Sequence, residues 1–151
     1  MGKTKGIAAA LAALGLLATT PASAQSASQA EKLRRLDIML MVTGLRCRHT
    51  ADNFQPDYQR FTTKHIALLN AASDQLKSRY AGLGPVQANR ALDKISVTMA
   101  NTYGQGHPWL TCGDLKIAAR SLAQAEGAAV LVEAADQLLA SNGTPRFAWV
   151  R

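Results

Sequence analysis

From Tyr58 onward the apolar residues return every three or four positions. Tyr58, Phe61, His65, Leu68, Leu69, Ala72, Leu76 and Tyr80 share one side of a helix, with His65 the polar member of an otherwise apolar stripe. Pro56 suits the first turn of that helix, where a missing N–H costs nothing. Upstream, SQAEKLRRLDIMLMVTGLRCR at positions 28–48 predicts another helix. Ser28 and Glu31 have the spacing of a capping box, so the helix is expected to start there. Leu33, Leu36, Leu40 and Val42 begin its apolar face, and the near-continuous apolar run from Ile38 to Leu45 predicts a central helix covered on most sides. GLGP at positions 82–85 closes the second helix and opens a third, lined by Ala88, Ala91, Leu92, Ile95 and Met99.

YGQGHPW then breaks the periodicity. Thr111 and Asp114 form a second capping-box pattern, flanked by Leu110 and Leu115 as a hydrophobic staple, which places Cys112 at a helix N-terminus. Leu115, Ala118, Ala119 and Leu122 continue this fourth helix. At Gly127 the apolar phase shifts, so the chain either kinks or starts a fifth helix bearing Leu131, Ala135, Leu138 and Leu139. The SNG at positions 141–143 is a stop signal, and Phe147 and Trp149 of the tail are expected to pack back on the bundle. Strand-like alternation is absent. The fold class expected is all-α, a compact four- to five-helix bundle.

The first residues read as an address. Lys3 and Lys5 precede an apolar run from Ile7 to Ala18, and TTPASA follows with Ala22 and Ala24 at small-x-small spacing. This predicts a signal peptide over residues 1–24, cleaved after Ala24, and a single helical domain over 25–151. A retained anchor helix is the competing reading, but the run is short for a bilayer. No cysteine follows it to take a lipid, and no later stretch is long enough to span, so no transmembrane segment is expected after cleavage. The expected location is periplasmic or secreted.

Charge adds a class of partner. The formal net charge of +7 falls to +5 without residues 1–24, which hold two lysines and no acid. Such an excess favours loose contact with anionic surfaces such as cell-wall polymer, lipopolysaccharide or membrane. The basic residues are scattered and carry no aromatic interleaving, which argues against nucleic acid as a partner. A protein or an envelope component remains.

Export changes the reading of the two cysteines. Oxidising compartments permit disulfides, and Cys47 and Cys112 are the even pair one bridge needs. Cys47 lies at the end of the first predicted helix and Cys112 at the start of the fourth, so antiparallel packing brings them together. Two other readings compete. Cys112 at a helix N-terminus would have a lowered thiol pKa, with His49 or His107 as a base. Cys47, His49, His107 and Cys112 could instead make a tetrahedral zinc site, though C-x-H and H-x4-C fit no common zinc motif. The disulfide is the expected state, with no metal and no cofactor.

The least generic stretch is Ala100 to Asp114. Tyr103, Gln105, His107 and Trp109 surround Gly104, Gly106 and Pro108, a composition suited to a ligand-binding loop that stacks on sugars or apolar groups. The plainer reading is an interhelix connection whose rings cover the disulfide. Asp52, Asp57, Asp74, Asp93, Asp114, Glu126, Glu133 and Asp136 are expected on helix starts or exposed faces, while Asp37 beside Arg34 and Arg35 reads as ion-paired. Met39, Met41 and Met99 read as core rather than haem ligands. No phosphate loop, G-x-G-x-x-G, G-x-S-x-G, H-E-x-x-H or C-x-x-C-H occurs, so no catalytic residue is assigned.

LRRLDIMLMVTGLRCR, FQPDYQRF and MANTYGQGHPWLTCGDLK together resemble a small family of exported bacterial two-cysteine proteins, over most of the mature chain. Some members of that family carry the label S-adenosyl-L-homocysteine hydrolase, which implies a hydrolase-like alternative without placing a reaction on named residues. In plan the chain is also similar to small helical, single-disulfide periplasmic proteins such as acid-stress chaperones and immunity proteins. The expected function is therefore non-catalytic binding at the envelope. The alternatives are a small envelope enzyme or metal-binding protein using Cys47, His49, His107 and Cys112, and a periplasmic stress chaperone.

Overall fold

The computed structural model describes residues 22–140, with side chains from residue 27. The expected signal segment before residue 22 and the tail with its SNG stop, Phe147 and Trp149 lie outside the described residues. Five α-helices follow one another: α1 (Ala22–Cys47), α2 (Gln55–Ser78), α3 (Pro85–Tyr103), α4 (Cys112–Gln124) and α5 (Ala128–Leu138), with one 3-10 turn at Ala81–Leu83. No strand is present among them, and a Cys47–Cys112 disulfide ties the first helix to the fourth. The all-α, disulfide-pinned bundle expected from the pattern is the fold observed.

α1 is the hub, touching all four other helices. Its Leu33, Leu36, Met39 and Leu40 meet Phe61, Leu69 and Leu76 of α2, Leu92 and Met99 of α3, Leu115 and Leu122 of α4, and Leu131 and Leu138 of α5 in a single core. Polar bonds fix how the helices lie. The Tyr58 hydroxyl of α2 donates to Asp37 of α1 at 2.9 Å, Arg34 of α1 donates to Ser96 of α3 at 3.1 Å, and Lys32 of α1 pairs with Asp136 of α5 at 2.7 Å.

Two features of α1 differ from the expectation. The helix is already formed at Ala22, so Ser28 lies inside it and caps nothing. Ala and Ser residues ahead of Ser28 sustain the helix. Glu31 does not reach back to a cap; its carboxylate takes Arg35, one turn on, at 2.8 Å. The run from Ile38 to Leu45 is also less covered than its composition suggests. Met41 and Leu45, one turn apart, stay 41% and 47% exposed. A continuous apolar run carries no period, so it could not say which side of the helix would remain open.

At Gly127 the chain breaks rather than kinks. Its φ of 83° is left-handed backbone, which separates α4 from α5. The start of α4 is the predicted one. The Thr111 hydroxyl accepts from the Asp114 N–H at 3.2 Å, and the Asp114 carboxylate accepts from the Thr111 N–H at 2.9 Å. The Thr111 hydroxyl also donates to the Asp114 carboxylate at 2.6 Å, and this bond, together with the one from the Thr111 N–H, holds the Asp114 carboxyl below its usual pKa range. Thr111→Ala removes half the box and is expected to cost about 1 kcal/mol, read as a lower urea midpoint at unchanged slope.

Candidate functional site

The sequence singled out two features, the cysteine pair and the loop leading to it. The sulfurs of Cys47 and Cys112 are bonded at 1.96 Å with their Cα atoms 5.8 Å apart. Cys47 ends α1 and is buried; Cys112 is the first residue of α4. Neither sulfur is then free as a nucleophile or a metal ligand. The zinc alternative loses its histidines as well. His49 is exposed and takes a hydrogen bond from Arg48 Nε at 2.9 Å, and His107 is engaged elsewhere. Among the described residues no three His, Cys, Asp or Glu side chains gather as a metal would need.

The Tyr103–Trp109 loop is built around His107. Tyr103, buried, is the last residue of α3. Gly106 follows with a φ of 116°, and a Cβ there would lie 3.2 Å from Arg46 Nε, so both backbone and space favour glycine. The His107 ring lies 5.2 Å from the Tyr103 ring and meets the Trp109 ring edge-on at 4.7 Å. Its Nε2 is 2.8 Å from the Leu138 carbonyl, and its Nδ1 accepts from the Leu110 N–H at 3.2 Å. Those two partners require the neutral ring with its proton on Nε2. Trp109 Nε1 donates to the Ala140 carbonyl at 3.0 Å.

Leu138 ends α5, so the loop supplies donors to carbonyls that a helix C-terminus leaves without partners. Sequence reasoning offered a ligand-binding loop or rings covering the disulfide; neither named the end of α5, which the polar atoms of His107 and Trp109 clamp. Gln105 is exposed and stands apart from this clamp.

Burial pushes the His107 pKa below its usual 6.5, and the bond to Leu138 opposes the shift only in part. Because the folded ring resists protonation, the clamp is whole above pH 6.5 and weakens as pH falls through the lower folded value. A proton–carbon NMR titration should place the His107 midpoint below 6.5. A midpoint at or above that value would contradict the buried, singly protonated ring.

Several other titratable groups are engaged within the bundle. His65 is buried with Nε2 3.0 Å from the Leu122 carbonyl, as its place on the apolar face of α2 suggested. Asp37 accepts from Tyr58 and sits 3.6 Å from Arg34. Burial raises its pKa, and the Tyr58 hydroxyl is pushed up too, by burial and by the Asp37 charge. Asp57 is in the first turn of α2, as expected for a helix-start acid, and it is buried there. Arg60 and Arg120 both pair with it, the latter at 3.5 Å. Arg120 comes from α4, and no local pattern could announce it.

No protein family, curated protein or solved structure matches the chain. No helix among the described residues is long and apolar enough to cross a membrane.

Proposed function

We propose that this is an exported, non-catalytic binding protein of the bacterial cell envelope, acting in the periplasm or after secretion on a protein or envelope component. The observation that carries the reading is the Cys47–Cys112 disulfide, since such bridges persist in oxidising compartments. It is supported by the loop. Tyr103, His107 and Trp109, the residues best suited to chemistry or stacking, face each other and the end of α5. The excess of basic over acidic residues favours an anionic partner. The hydrolase-like alternative gains nothing from the fold. The described residues hold no strand from which a phosphate-binding turn could lead into a helix.

A stress chaperone is the second reading, favoured by one observation: acid charges His107, which holds the end of α5, and so loosens that end of the bundle. Suppression of client aggregation that appears at acidic pH, and is lost in His107→Gln, would support it.

The test of the first reading is the intact mass of protein recovered from periplasm, with and without alkylation under denaturing conditions. The expected species begins at Gln25, is two hydrogens light and takes no label. Two alkylatable thiols, or a chain that stays in the cytosol with its first residues attached, would overturn export and the structural bridge together.

A further inference from the structure

Among the described residues, three of the surface clefts hold lysine or arginine, and in two of these the cations are answered by acids. In one, Arg60 pairs with Asp57 and Lys64 with Glu126 at 2.6 Å. In another, Lys77 lies beside Asp74. The third differs. It is an open cleft of about 360 Å³ lined by Arg35 of α1, Tyr80 just past α2, and Ala91, Lys94, Ile95 and Thr98 of α3.

Charge does not balance there. Glu31 is the acid at its edge, and its carboxylate is shared between Arg35 at 2.8 Å and Arg79 at 3.9 Å. Lys94 adds a third cation, and its ammonium meets no carboxylate among the described residues. Asp93 is its neighbour in sequence but falls on the opposite side of α3 from Ala91 and Thr98. Counting Arg79, which shares the Glu31 carboxylate beside the cleft without lining it, the cluster carries two positive charges more than it answers. Arg35 is also held in place: two of its nitrogens are on Glu31 and a third is 3.6 Å from Met99 Sδ. The Tyr80 hydroxyl has no hydrogen-bond partner among the described residues. A fixed guanidinium, a free ammonium and a free phenol thus line one cleft from three elements.

We propose that this cleft binds a phosphate group, with Arg35, Lys94 and Tyr80 as its donors. A tetrahedral dianion offers acceptors in several directions and matches the two unanswered charges; a carboxylate offers one charge in one plane. The proposal rests on the binding reading above and gives it a place and a ligand chemistry. The phosphate comes either from a lipid headgroup or from a water-soluble phosphate ester or polymer.

The test titrates the purified protein with inorganic phosphate at constant ionic strength and follows backbone amides by NMR. Saturable shifts are expected at Arg35, Tyr80 and residues 91–98. Lys94→Gln, at an exposed position, should weaken binding about tenfold, and Tyr80→Phe about threefold. Lys77→Gln makes the same charge change at another cleft and should leave binding within about twofold. Vesicles then separate the sources. Lys94-dependent binding to phosphatidic acid but not to phosphatidylcholine assigns a lipid headgroup; phosphate binding without vesicle binding assigns a soluble ester or polymer.

Absence of a saturable shift overturns the site. So does equal weakening by Lys77→Gln, because a diffuse positive surface would then account for everything. Free thiols or a cytosolic chain would sink export and leave this titration standing, so the two failures are distinguishable.

Discussion

Replacing Cys47 and Cys112 together by alanine lowers the stability of the protein by about 4 kcal/mol. The bridge joins residues 65 positions apart, and a loop of that length restricts the denatured chain severely. The folded state contributes less to the difference. Cys47 is buried and packs as a small apolar residue, which alanine replaces with the loss of one sulfur. The loss is large beside the 5–15 kcal/mol by which domains of this size are typically stable. Urea unfolding of the double variant, and of wild type held reduced, should show the same fall in midpoint. A fall below about 1 kcal/mol would mean that the denatured chain already keeps the end of α1 near the start of α4. A steeper slope in the variant would show instead that the bridge had kept the denatured state compact.

What the sequence announced, and what it hid, divides by the range of the interaction. α2 was legible from Phe61, His65, Leu69, Ala72 and Leu76, because one buried face on a regular helix writes its period into the chain. The start of α4 was legible because a capping box closes within four residues. The same four-residue pattern misled at Ser28, where helix-forming residues precede it and Glu31 has better partners in Arg35 and Arg79.

Long-range pairings left no local trace. The composition around His107 marked the loop as special, yet its partner Leu138 lies 31 residues away, so the end of α5 could not be named. Arg120 pairs with Asp57 from another helix. In the sequence Lys94 was one of the scattered basic residues, Arg35 stood beside Asp37, and Tyr80 closed the apolar stripe of the second helix; only the packing of α1 and α3 with the end of α2 places them around one cleft.

Phe61→Ala is expected to cost about 4 kcal/mol, the upper part of the range for a large buried side chain. Phe61 has no exposed surface, and its ring lies between those of Tyr58 and His65, at 6.3 and 5.3 Å. Both neighbours carry a bond that fastens α2 to another helix, Tyr58 to Asp37 of α1 and His65 to the Leu122 carbonyl of α4. Truncation therefore removes apolar contacts, leaves a cavity, and frees the two side chains whose positions the ring fixes. Phe61→Leu separates these effects. It keeps most of the volume and should cost no more than about 1.5 kcal/mol if filling the space is what matters. If leucine costs nearly as much as alanine, the ring's role is to hold Tyr58 and His65 in register, and the Tyr58 hydroxyl proton should then show faster exchange in both variants. If alanine itself costs under about 2 kcal/mol, α2 has shifted to close the gap, and the packing of α2 on α1 and α4 is looser than the geometry implies.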